Sequence, residues 1–376
     1  MKLLILLFTL TLMSSISWGS VHFSRQWSRT TLSKTHFGFR PLNRMPPLLT
    51  QELVIQGNGV DGIKAFHRRS GHEAWHLKLF NGVEGGAIVS GNKLYFGSND
   101  GQFYCLDVNS GAVLWTFPLN SESLTAPLVV GNQVYHVTGN NTLYALNKDT
   151  GETIWVKSNS AKSNMTVRGQ TAPVHDQGVL YLGFSDGTFA AFNALNGREL
   201  WSKRIGDDKK FNDVDSTAVL SDSCLLVSSY ANALYCLNKN TGAIKWRHDV
   251  GGYFSVLVSK QTLYYPTVEG EIHILDLDSG KLLKKIVDVQ GLSTELIDTG
   301  DAILYGETGG EVILRRKTDL TVLSRFAPGL GVYARPSFDH KNNQVYFVSN
   351  DANLYRLDIR EKLENPFLWS EKSHVH

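Results

Sequence analysis

Apolar and polar residues alternate along most of this chain in short runs, and Gly, Asn or Asp breaks each run after a few residues. That pattern predicts many short strands joined by tight turns. One stretch displays the unit. Ala126 to Val130 and Gln133 to Val137 alternate with period two, as do Thr142 to Asn147 and Glu152 to Lys157, with Gly131-Asn132 and Gly139-Asn140 as hairpin turns. Four antiparallel strands therefore form one small sheet. Such a sheet cannot cover both of its faces alone and must stack on copies of itself.

The copies are present. Leu143 to Gly151 with Trp155 is nearly repeated by Leu234 to Gly242 with Trp246, and the turn glycine recurs at Gly71, Gly111, Gly151, Gly197, Gly242 and Gly280. A degenerate seventh unit sits at Leu320, and an eighth has its strand at Leu354 to Asp358. Four residues after the glycine stand Trp75, Trp115, Trp155, Trp201 and Trp246, five of the eight tryptophans, while Lys284 and Ser324 fill the slot later. Eight units with a period near 40 predict an all-β, eight-bladed β-propeller with four-stranded antiparallel blades, spanning residues 46–369.

The pattern Ala-x-Asn/Asp-x-x-Ser/Thr-Gly-x-x-x-Trp resembles the tryptophan-docking repeat of the pyrroloquinoline-quinone-like propellers. It lacks the Trp-Asp and Gly-His marks of WD40 repeats.

Length and composition fit this reading. The 376 residues are 42% hydrophobic and include 34 glycines, and the net charge of +2 with no basic run excludes a nucleic-acid binder. Residues 1–19 read as a signal peptide: Lys2, an apolar run from Leu3 to Met13, and Ser17-Trp18-Gly19 before the cut. Export to the periplasm follows, with no later apolar stretch long enough for a membrane span and no Cys at the junction for lipid attachment. Residues 20–45 carry Arg25, Arg29, Lys34, Arg40 and Arg44 with no acidic residue and are expected to form a basic extended arm, and 370–376 a tail. Cys224 and Cys236 are placed to face each other across one hairpin, yet a fold this large needs no staple, so three buried inert thiols are expected.

Function on a propeller concentrates in loops that depart from the repeat. The interval between turn glycines is 40 from Gly71 to Gly111 and again to Gly151, then 46 to Gly197 and 45 to Gly242. The excess lies in two consecutive blade-to-blade connections, Ser158 to Gln170 and Gly206 to Asp215, which must emerge side by side on one face. The first carries Met165, Val167 and Arg168, the second Asp213 and Asp215. Apolar anchors with charges that fix register suit a protein interface. The same residues also suit a plain blade edge with Arg168 paired to Asp213 or Asp215, and composition does not choose between the two.

An Arg-Gly-x-x-Ala-Pro stretch (Arg168 to Pro173) one blade before an Asp-Val-Asp-Ser-Thr stretch (Asp213 to Thr217) is similar to the BamB family, the propeller subunits of the machine that inserts β-barrel proteins into the bacterial outer membrane. The resemblance implies a non-enzymatic scaffold at the periplasmic side of the outer membrane. Its partner would be a POTRA domain of the BamA-type insertase, bound through Met165, Val167, Arg168, Asp213 and Asp215. The resemblance also raises unfolded barrel precursors as partners. Where the family has leucine, this chain has Met165 and Val167.

Two other functions compete. A quinoprotein dehydrogenase would need an axial quinone, a Ca²⁺ and a general base; Asp61, Asp100 and Asp186 are the carboxylates at hand, all at turns where Asp is favoured anyway, and there is no adjacent Cys pair. No metal or cofactor is expected. The histidines, among them His67, His72, His76, His136, His175, His248 and His273, are dispersed and read as turn or strand-face residues. A generic exported scaffold, binding another protein or a polysaccharide, shares every feature except the paired loops.

Overall fold

The computed structural model describes residues 21–33, 43–119, 121–158, 171–205, 214 and 216–361. Within them the chain forms eight four-stranded antiparallel sheets. The first blade runs Leu48–Leu49, Leu53–Asn58, Gly62–His67 and Glu73–Lys78. Blades two to seven repeat that order and end in the outer strands Val113–Pro118, Thr153–Ser158, Glu199–Arg204, Ile244–His248, Leu282–Ile286 and Val322–Phe326. The second and third strands carry the core. In blade three, Val134, Tyr135 and Val137 on one strand and Leu143, Ala145 and Leu146 on the next are buried, because both faces of these central strands are covered by neighbouring blades.

Each blade carries the same irregularity. Ala65 pairs with Trp75, Cys105 with Trp115, Ala145 with Trp155, Ala191 with Trp201 and Cys236 with Trp246, and in every case the register slips at the following step. A small residue opposite each Trp leaves room for the indole, and the bulge re-aims the outer strand toward the next blade.

The indoles then do the joining. Trp75 donates from Nε1 to the Val108 carbonyl of blade two at 3.0 Å. Trp115, Trp155, Trp201 and Trp246 donate to Lys148, Ala194, Lys239 and Leu277 of the next blade at 3.0 to 3.2 Å. Each ring lies on that blade's turn glycine: a Cβ on Gly111 would come 2.6 Å from the Trp75 ring, and its φ of +70° already favours glycine. Leu320, where the seventh unit lacks glycine, takes the same left-handed conformation with φ of +63°.

The eighth blade corrects the arm reading. Val21–Thr30 is its outer strand, paired antiparallel with Asn353–Glu361, while Ser337–Asp339 and Gln344–Val348 complete the sheet. Trp27 sits at the docking position, its Nε1 donating to Arg68 O at 3.0 Å and its ring lying on Gly71. A sixth docking tryptophan thus comes from the N-terminal segment and locks the last blade to the first. Arg68 reinforces this seam through Asp339, Thr50 O and Tyr346 Oη. Sequence reading missed the strand because its partner lies more than 300 residues away and its arginines, such as Arg29 on the Ser70 and Gly71 carbonyls, mask the alternation. Residues 34–42, the signal segment and the 370–376 tail lie outside the described residues.

A second correction concerns sulfur. Cys224 and Cys236 form a disulfide between adjacent strands of blade five, their Cα atoms 5.6 Å apart, and Cys105 alone is a free, buried thiol. The hairpin brings the two together within disulfide reach whether or not the fold needs the bond.

Candidate functional site

The two long connections are anchored to each other at their feet. The first leaves strand Thr153–Ser158 and returns at Thr171; the second leaves Glu199–Arg204 and returns at Val214. Thr171, buried, donates from Oγ1 to the Val214 carbonyl at 2.6 Å, and the Ala172 amide donates to Thr217 Oγ1 at 3.0 Å. Val214 is 2% exposed, its amide bonded to Phe184 O and its side chain pressed on Gly183, where a Cβ would meet it at 2.3 Å. A glycine in the second strand of blade four therefore opens the slot that Val214 fills.

The stitching continues around the rim. Ser255 Oγ, at the foot of the next connection, donates to Thr217 O at 2.8 Å, Ser228 N donates to Ser216 Oγ at 3.0 Å, and Ser228 Oγ donates to Gly252 O at 3.2 Å. Short hydroxyls before the first strands of blades four, five and six, Thr171, Ser216 and Ser255, thus replace water at the loop feet and satisfy buried carbonyls. Beside them Tyr230 and Tyr253 lie with ring centroids 4.5 Å apart. Neither the hydroxyls nor this aromatic pair was read as part of a site. For the hydroxyls the signal was the recurrence of Ser or Thr two to four residues before the inner strands of blades three to seven.

Met165, Val167, Arg168, Asp213 and Asp215 lie outside the described residues. The structure describes the framework from which they depart: two adjacent feet joined by hydrogen bonds between a threonine hydroxyl of one and the backbone of the other.

The carboxylates weighed for catalysis do not converge. Asp100 accepts from Gln102 N and Tyr104 Oη and Asp186 from Thr188 N, each capping a hairpin turn of its own blade, whereas Asp61 accepts from Ser33 N of the N-terminal segment. Nor does His136 face solvent. It is fully buried, 2.7 Å from Ser123 Oγ, and burial pushes its imidazole down to about 3, so it is neutral at every physiological pH. His175 Nε2 accepts the Gly178 amide in a turn.

A family model described as outer membrane protein assembly factor BamB matches residues 60–286. The outer membrane protein assembly factor BamB of Escherichia coli K12 is 32% identical over 277 residues, 69% of this chain and 70% of that protein. Its counterpart from Legionella pneumophila is 28% identical over 347 residues, 90% and 89% of the two chains. The crystal structure of BamB from Moraxella catarrhalis shares the fold with a TM-score of 0.77 at 20% identity, covering 89% of this chain and 99% of that one. With a family model spanning well over half of an eight-bladed ring, and relatives that align across most of its length, this chain belongs to the BamB family of outer membrane protein assembly factors.

Proposed function

We propose that this protein is a non-enzymatic assembly factor of the machinery that inserts β-barrel proteins into the outer membrane, working from the periplasmic side as a peripheral component. Its contribution is to hold a POTRA domain of the BamA-type insertase on the paired loops Ser158 to Gln170 and Gly206 to Asp215. The observation that carries this reading is the bond from Thr171 to Val214, with Ala172 to Thr217 beside it. A loop pair whose feet are fixed to each other departs from neighbouring points, so one partner can meet both loops at once. Met165 and Val167 supply the apolar anchors, and Arg168, Asp213 and Asp215 supply charges that set register. Unfolded barrel precursors are a second class of partner for the exposed outer strands, by strand addition.

The test is a pull-down of the mature protein with periplasmic POTRA fragments of the same organism's insertase. Arg168→Ala and Asp213→Ala should each weaken capture by tenfold or more while circular dichroism stays that of the wild type. A wild type that captures no POTRA fragment would leave the propeller as an exported scaffold for some other partner.

A further inference from the structure

On the blade five and six seam, the hairpin turn before Ile272–Asp276 places Glu269, Glu271 and His273 at alternate positions. Extended backbone sends the Glu271 and His273 side chains to one side, the turn at Gly270, with φ of +78°, brings Glu269 back toward them, and one ligand atom from each of the three lies within 4.8 Å of the others. His273 is 1% exposed. Its Nε2 lies 2.8 Å from Glu271 Oε2, and its Nδ1 lies 2.9 Å from Nε2 of His248, the last residue of blade five's outer strand. Lys285 Nζ lies 2.8 Å from the same Glu271 oxygen, on a side chain 38% exposed.

We propose that this corner binds a first-row divalent transition cation of the Zn²⁺ class, with Glu269, Glu271 and His273 Nε2 as ligands and His248 as a positioning residue. One imidazole with two carboxylates is a mixed nitrogen and oxygen set, which suits Zn²⁺ better than the all-oxygen cations Ca²⁺ and Mg²⁺. His248 completes the chemistry: by accepting the His273 Nδ1 proton it fixes the tautomer whose lone pair is on Nε2, the nitrogen that faces the carboxylates. Lys285 holds the cation position in the metal-free protein. Its flexible stem lets the ammonium swing into solvent when a divalent ion with stronger claims on Glu271 arrives. All three ligands stand on blade six and His248 of blade five bonds one of them, so the bound ion sits at the rim between the two blades. The inference is independent of the assembly role.

The experiment is calorimetric titration of Zn²⁺ into tag-free, chelator-stripped mature protein. One equivalent should bind saturably. Glu271→Gln and His273→Gln should each lower the affinity at least tenfold, His248→Gln should lower it roughly 10- to 100-fold with the stoichiometry kept, and Lys285→Met should raise it. Glu269→Gln with Glu271→Gln, both at the surface, carries the test if His273→Gln does not fold. No saturable Zn²⁺ binding, or binding indifferent to the Glu271 and His273 variants, would overturn the site, as would loss of binding in Lys285→Met.

Discussion

Six blade seams are joined by an indole on a turn glycine, and two are not. From blade eight through to blade six, Trp27, Trp75, Trp115, Trp155, Trp201 and Trp246 each bond a carbonyl of the next blade. Between blades six and seven an apolar core that includes Ile274 and Ile303 is shared, and charges stand where the indole is lacking: Arg315 holds Asp288 through two 2.8 Å bonds, and Lys317 reaches Ser259 of blade six as well as Asp298 of its own blade. Between seven and eight it falls to Ser324, which accepts the Phe23 amide, and to the rings of Phe326, Phe347 and Tyr355. The difference teaches that the ring tolerates different chemistry at a seam provided the wedge between blades stays filled and polar groups stay paired. It also predicts different weaknesses: apolar seams fail by cavity formation, charged seams by titration and salt.

The sharpest way to break the comparison is at the closing seam. Trp27→Ala removes a nearly buried indole and its bond to Arg68 O, and should cost about 3–5 kcal/mol in denaturant unfolding, with hydrogen exchange rising first in Val21–Thr30. If exchange there stays that of the wild type, the N-terminal strand is not what closes the ring.

Next in size is the disulfide. Replacing Cys224 and Cys236 together by serine should cost roughly 2–3 kcal/mol, read as a lower denaturant midpoint with exchange rising in blade five.

Acid should separate the two kinds of seam. His136 packs on Phe103 at the seam of blades two and three, ring centroids 4.9 Å apart, and its pKa falls from an ordinary 6.5 to about 3 on folding. The unfolded chain therefore binds the extra proton, so this residue costs nothing above about pH 6.5 and about 1.4 kcal/mol for each pH unit below it, down to about 3. At the charged seam, burial raises the Asp288 carboxyl but its bonds to Arg315 outweigh that and hold it low. Its contribution is present above the ordinary carboxylate range and lost only as pH falls through and below it. His136→Gln should therefore flatten the stability profile between pH 6 and 4 while leaving the region below pH 4 steep. An unchanged slope between pH 6 and 4 would mean that His136 does not titrate with unfolding.

The smallest effect is at Asp288. Its carboxylate is half exposed, so Asp288→Ala should cost only about 1 kcal/mol, less in high salt, whereas Trp27→Ala should be insensitive to salt. Equal salt dependence in the two variants would erase the distinction between seams.

What the sequence by itself determined was the repeat: strand alternation, turn glycines and five tryptophans fix eight blades, because those are local requirements of turns and pleats that recur with the period of the fold. It also located the two long connections, since counting residues between fixed landmarks needs no coordinates. Tertiary structure alone decided how the ring closes, that Trp27 belongs to the eighth blade, that Cys224 meets Cys236, and that Thr171 and Val214 join the loop feet. These depend on which segments meet after the chain has gone full circle or crossed a hairpin. Glu269, Glu271 and His273 stand together in the sequence, but His248 joins them from another blade, and only packing brings that fourth side chain to the same corner.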